Sequence, residues 1–395
     1  MSTVGVISRG IKAPIIRKGD DLAAIAVESL LAAAGDAATG FDIQDGDVLA
    51  VTEAVVARAQ GNYATVEQIA KDVRAKTGGG TVGLIFPILS RNRFSMLLRG
   101  IAAGVDKLVI MLSDPSDEVG NHLMDIDALD SKGVNPYTDV FTEKQVYETF
   151  GEVKHPFTGI DYIALYKEFA GEGTEIILAN RPQEILKYTD VVINADIHTR
   201  FRTRRLLLEA GAKKVVSLHE ILSAPVDGSG YNPDFGLLGS NLATDDSVKL
   251  FPRDCGAFVT RVQEMLLERT GRRVEVMVYG DGAFRDPVGK IWELADPVVS
   301  PGYTSGLVGT PNELKLKYLA DNAVPELSGE AAREAIKKMI KAKPADLFAS
   351  QASQGTTPRR ITDLLGSLAD LTSGSGDKGT PIVYIQNYFS NYAAD

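Results

Sequence analysis

Several short stretches bring together residue types that could do chemistry. Near the C-terminus, "LTSGSGDKGTPIVYI" (371–385) sets Ser373, Gly374, Ser375, Gly376, Asp377, Lys378 and Gly379 directly before a β-branched run. Successive backbone N–H groups in such a turn form a concavity for an anion, and Lys378 adds a point charge suited to phosphate. The alternative is a helix C-cap followed by a plain connector, because the P-loop pattern is absent. In "VYGDGAFRDP" (278–287), Asp281 stands between two glycines at the end of a strand-like run, where α/β proteins place metal and ligand sites. An ordinary Asp-Gly turn is the competing reading. "VTEAVVARAQG" (51–61) places Thr52 and Glu53 after an apolar run, with Arg58 five residues beyond Glu53. By themselves these read as a helix start with solvated charges.

Three further stretches carry polar groups after apolar runs or around a proline. "GIKAPIIRKGDDL" (10–22) puts Lys12, Ala13, Pro14 and Ile15 in an irregular loop whose backbone groups are free for a nucleobase or phosphate. "LSDPSDEVGNHLMD" (112–125) is dense in carboxylates but lacks EF-hand spacing, and a solvated acidic helix start is its simpler reading. "ADIHTRFRTRR" (195–205) offers His198 and Arg200 at a basic strand-to-helix turn suited to a carboxylate or phosphate, or else a charged helix surface.

The elements that must position these residues alternate. Strand-like runs at 4–7, within 45–61 after its opening turn, and at 81–89, 106–112, 174–179, 190–195, 213–218 and 274–281 are separated by helical stretches such as 21–35, 203–212, 254–273, 327–343 and 358–374. Alternation of this kind predicts βαβ connections and a mixed α/β (α+β) fold. Residues 224–234, "APVDGSGYNPD", read as a linker. With 395 residues the chain has room for two domains or three. A net charge of −10 argues against a nucleic-acid or acidic-membrane binder, and the single Cys255 excludes an internal disulfide. No run reaches the roughly 18 apolar residues a membrane span needs, and the N-terminus lacks a signal-peptide core, so a cytoplasmic location is expected.

Taken in order, "GIKAPIIRKGDDL", "DGDVLAVTEAVVARAQG", "FGLLGSNLA" (235–243), the 249–282 helix–turn–strand–Asp segment and "SGSGDKGTPIVYI" resemble the coenzyme F-420-0: L-glutamate (γ-glutamyl) ligase family. The resemblance covers about 1–65 and 235–395. It implies a ligase-like nucleotide-binding core at 1–95 and 235–395, with an inserted parallel α/β segment at 96–234 offered to the acceptor. It further implies that GTP activates a carboxylate as an acyl phosphate, which the amine of L-glutamate then attacks. Mg²⁺ or Mn²⁺, with K⁺ as a further cation, and a homodimer follow from the same likeness. So do nucleotide contacts from the Lys12–Ile15 loop, Thr52, Glu53, Arg58, Asn241 and the 373–379 loop. Asp281 matches a metal-binding Asp. The family's other metal positions fall on Leu238 and Gly282, so Asp234 or an acidic residue of 114–118 stands as a substitute ligand. The altered positions leave open a folate-like acceptor, another added amino acid, a phosphotransferase, or a nucleotide-binding regulator without catalysis.

Overall fold

The computed structural model describes residues 4–156, 158–280, 296–347, 350–353, 359–373 and 377–393. In chain order the strands are β1 (Ile7–Ile11), β2 (Val48–Thr52), β3 (Tyr63–Thr65), β4 (Thr81–Ile85), β5 (Lys107–Leu112), β6 (Phe141–Thr142), β7 (Glu175–Leu178), β8 (Val191–Asn194), β9 (Lys214–Ser217), β10 (Asn241–Thr244), β11 (Ser247–Lys249), β12 (Glu275–Tyr279), β13 (Gly302–Tyr303) and β14 (Ile382–Gln386). They form three sheets with helices on their faces, a mixed α/β fold.

The first sheet has the order β1-β14-β2-β12-β13. Only β2 and β12 run parallel, and every other neighbour is antiparallel. Side chains alternate between its two faces with the period of an extended strand. Leu49, Val51, Val276, Val278, Ile382 and Tyr384 pack on one cluster with the helices Leu22–Ala34 and Cys255–Thr270. Val48, Ala50, Met277, Tyr279, Val383 and Ile385 pack on the other with the helix Ile361–Thr372. Because both faces are covered, β2, β12 and β14 read as continuous apolar runs rather than alternating ones.

The second large sheet has the order β6-β7-β5-β4-β8-β9, parallel except for β6. The chain starts at the central β4, moves out through β5 to β7, then returns to β8 and β9 on the other side. This is doubly wound topology with its switch between β4 and β8, and loops at the carboxyl ends of such strands are where ligands sit. The boundary expected at residue 96 therefore falls after this sheet's central strand, which begins at Thr81. A small antiparallel sheet, β10-β11-β3, lies between the two in sequence pairing.

Other sequence expectations shift in detail. The strand expected at 4–7 begins at Ile7, where pairing with Gln386 starts, and continues to Ile11. The 224–234 stretch is no free linker: the Gly230 amide donates to the Tyr63 carbonyl at 2.6 Å, and a Cβ there would lie 2.5 Å from Asn62 Oδ1. The helices Val66–Thr77 and Ser95–Ala103 cross closely at Gly100, where an added Cβ would stand 2.6 Å from Ile69 Cγ2. Ile69 is fully buried and cannot yield cheaply. Gly100→Ala is expected to destabilise the protein by about 1–3 kcal/mol in a denaturant melt; an unchanged midpoint would show that the two helices part without cost.

Candidate active site

The register of the first sheet gathers four segments on one edge. β1 ends at Ile11 opposite Ile382, the start of β14; Ile382 also faces Val51, and Thr52 pairs with Tyr279. The ends of β1, β2 and β12 and the start of β14 therefore lie together. The Ala13 amide donates to the Gly379 carbonyl at 3.2 Å and the Thr52 amide to the Pro381 carbonyl at 3.0 Å. Lys12 and Pro14 line a cleft of about 1030 Å³ between β1 and the helix Leu22–Ala34, together with Arg9, Glu28 and Phe41. Lys12, Pro14, Ile15, Asp377, Lys378 and Gly379 are exposed, while Ala13 and Ser373 are half-buried. Gly374, Ser375, Gly376, Asp281 and Gly282 lie outside the described residues.

Glu53 opens the helix Glu53–Gln60 directly after β2. Its carboxylate is buried, with Oε1 3.5 Å from Lys249 Nζ, and buried Oε2 has no hydrogen-bond partner. Lys249 is carried on β11, opposite Asn241 on β10. Nearby, Asp296 is buried and takes a 2.8 Å ion pair from Arg93. Gly280, the residue after β12, makes room for it: an added Cβ would sit 2.2 Å from Asp296 Oδ2. Glu53, Lys249, Asp296 and Arg93 thus form a cluster of alternating charge at the edge where the loops meet. Burial raises the affinity of Glu53 for a proton, and Asp296 adds to this, while Lys249 and Arg93 act against it. The phenol of Tyr279 is buried beside the hydroxyls of Ser373 and Thr52, and burial pushes its ionisation above the ordinary range. Burial, then the Glu53 charge, pushes the Cys255 thiol up to about 12. It is a packing group under Gly302, not a nucleophile.

The cluster changes the set of residues at the site. Arg58 is exposed near the far end of its helix. Five helical residues after Glu53 it points about 140° away from that side chain, by the 3.6-residue turn. It is not joined to the charge cluster. Asn241 is half-buried beside Lys249. Asp234 is exposed on a turn, its amide donating to Asn232 Oδ1 at 3.0 Å, and it makes no ion pair among the described residues. Leu238 is buried apolar core, but the next residue, Gly239, packs 2.8 Å from Pro297 Cδ when given a Cβ. Asp296 thus stands close to the place where a carboxylate was sought at 238. Sequence reasoning missed Asp296, Arg93 and Lys249. Lys249 left one signal, a lone cation inside the apolar run "SVKLF"; the other two left none.

The 114–118 acids belong to the doubly wound sheet, not to this cluster. Asp117 is a loop brace, accepting from the amides of Leu89, Val119 and Asn121 and from the Asn121 side chain. The Glu118 carboxylate accepts from the amides of Ile197 and His198. Asp196 is buried and bonded by Thr199 and Thr203. His198 is exposed, and Arg200 donates to the Ile197 carbonyl with its guanidinium carbon 4.7 Å from the Phe201 ring centre. Burial, then the Asp196 charge, pushes Glu118 up to about 8. Burial, then Asp139, pushes Asp114 up to about 7. Both carboxyls hold protons in the folded chain at a pH where they are ionised in the unfolded one. The native state then binds more protons, so stability falls as pH rises through this window. Melting temperature is expected to drop between about pH 6 and pH 8.5, less steeply in Glu118→Gln. A rise over that interval would contradict it.

Among the described residues, no group of three or more His, Cys, Asp or Glu side chains could hold a metal ion, and no helix is long and apolar enough to cross a membrane. The pair Glu53 and Asp296 nonetheless offers hard oxygen donors, one of them a buried oxygen without a partner, which suits Mg²⁺ or Mn²⁺ better than a soft metal.

Buried carboxylates and cations at the loop-bearing edge of a mixed sheet are the kind of arrangement that small-molecule sites use. The family model described as F420-0:Gamma-glutamyl ligase matches residues 10–387, and the chain belongs to that family of ligases. The match runs through residues 66–234 as well, beyond the stretches whose motifs carry the resemblance. No curated protein is significantly similar to the chain.

Proposed function

We propose that the chain is a GTP-dependent γ-glutamyl ligase that joins L-glutamate to the carboxylate of coenzyme F-420-0 or a related acceptor. The observation that supports this most is the buried Glu53 with its unpartnered oxygen, at the edge where the 12–15, 52–53 and 377–381 segments meet. In the first step an acceptor carboxylate oxygen attacks the γ-phosphorus and GDP leaves, forming an acyl phosphate. In the second the glutamate amine attacks the acyl carbon, the acyl C–O bond breaks and phosphate leaves with its electron pair, and the amine loses one proton. Mg²⁺ or Mn²⁺ held by Glu53 and Asp296, with Asp281, would neutralise phosphate charge. Lys249 and Arg93 hold these carboxylates in place and balance their charge, and Lys12 and Lys378 face the polyphosphate. K⁺ is a further cation of the nucleotide site, and the working unit is a homodimer. The doubly wound unit offers the acceptor the carboxyl end of β8, with His198 and Arg200.

The test is a reaction of the purified chain with GTP or ATP, Mg²⁺ or Mn²⁺, L-glutamate and F-420-0. Phosphate release and glutamyl addition in equal amounts, with GTP preferred, are expected. Nucleotide binding without product would overturn the ligase assignment, and ATP preference would overturn the choice of nucleotide. Lys378→Ala removes a charge-assisted contact of about 1.5–3 kcal/mol and should raise the nucleotide Kd at least about tenfold. An unchanged Kd in that variant would take the loop out of the nucleotide site.

A further inference from the structure

The rim of the doubly wound sheet holds a second cavity, of about 520 Å³, which shares no lining residue with the Glu53 cluster. It opens above the carboxyl ends of β5 and β7, within the 300–1,000 Å³ range of small-molecule sites. Asp114, Tyr137, Asn180, Arg181, Gln183 and Arg202 supply its polar lining.

Its lining holds both an unmet acceptor and cations. Asp114 is only 3% exposed and its Oδ1 is buried with no hydrogen-bond partner. Leaving a buried acceptor unmade is costly, so the cavity is built for a donor at that point. The backbone there is held firmly. Asn180 Oδ1 accepts from the Asp114 amide at 3.2 Å, and its Nδ2 donates to the carbonyls of Asp114 and, at 2.9 Å, of Pro136. Burial, and then the charge of Asp139, raise the proton affinity of Asp114. The same lining carries two guanidinium groups. Arg181 is oriented by Glu184, which also holds Lys187. Arg202, on the first turns of the helix Arg200–Glu209, is exposed and makes no ion pair among the described residues. Guanidinium groups match carboxylates in bidentate geometry.

We propose that this rim cavity binds a free α-amino acid, its ammonium group donating to Asp114 Oδ1 and its carboxylate held by Arg202 and Arg181. A simple anion would leave the buried Asp114 Oδ1 without a donor, and a simple amine would leave both arginines unused. Only a ligand bearing both groups satisfies both. The proposal does not depend on the ligase reading, since no residue is shared with that site.

The experiment is calorimetric titration of the full chain, without nucleotide, with the twenty proteinogenic L-amino acids, glutarate and n-butylamine. At least one amino acid is expected to bind saturably, and glutarate and butylamine at least tenfold more weakly. Asp114→Asn and the surface change Arg202→Ala should each weaken the amino acid at least tenfold, whereas Glu53→Gln should not. Thermal melts confirm that each variant is folded, and Arg202→Ala decides the matter should Asp114→Asn fail to fold. Absence of amino-acid binding, equal binding of glutarate or butylamine, or binding lost in Glu53→Gln but kept in Arg202→Ala would overturn the proposal. None of these results would by itself remove the ligase assignment, which is read from product formation.

Discussion

Glu53→Gln is expected to reduce glutamate-dependent phosphate release by at least about 100-fold, the scale on which a positioned charge acts in a desolvated site. The substitution keeps the shape of the side chain and removes its charge. Glu53 is 6% exposed, and one of its oxygens is buried without a partner. A fold has no reason to bury such an oxygen for stability alone, because the uncompensated group costs free energy. Glutamine at this position should therefore leave the melting temperature near or above that of the parent, so activity and stability part company. Steady-state rates and a thermal melt on the same preparation make the comparison. Turnover within a few-fold of the parent would remove Glu53 from the chemistry.

Arg93→Met is expected to produce the largest loss of stability, about 3–5 kcal/mol, because it takes a guanidinium from a buried carboxylate. Arg93 Nη1 lies 2.8 Å from Asp296 Oδ1, and the Asp296 side chain is only 2% exposed. Removing one member leaves the other charged in a low-dielectric surrounding. Asp296→Asn in the same background should recover part of the loss, because the two changes act on one interaction. Urea unfolding of the two single variants and the double variant measures this directly. If Arg93→Met cost less than about 1 kcal/mol, the pair would rank with exposed ion pairs. Turnover should fall in the same variant, since Asp296 lies against Gly280 at the end of β12.

Much of the architecture was legible in the chain. The β-branched runs of β2, β12 and β14 are apolar on successive residues because both faces of their sheet are covered, and such runs stand out from their surroundings. The helix Glu53–Gln60 ends at Gly61 in the left-handed region, φ 61°, a stop that glycine signals. The basic and acidic turns at 112–125 and 195–205 were legible as polar segments after strands, and both lie at the carboxyl edge of one sheet.

The sequence by itself determined the mixed α/β class, the order of family motifs and the loops that leave β1, β2 and β12. These depend on local periodicity and on short-range residue choice, which do not need distant partners. Only the tertiary structure decided which charges meet. Lys249 reaches Glu53 across 196 positions and Arg93 reaches Asp296 across 203. The pairing of β2 with β12, and of β11 with β3, brings them together. The same holds for Arg58, which the family resemblance put with Glu53 and which helical rotation turns away from it. Coulomb interaction and burial act through space, and a chain read along its length contains no measure of either.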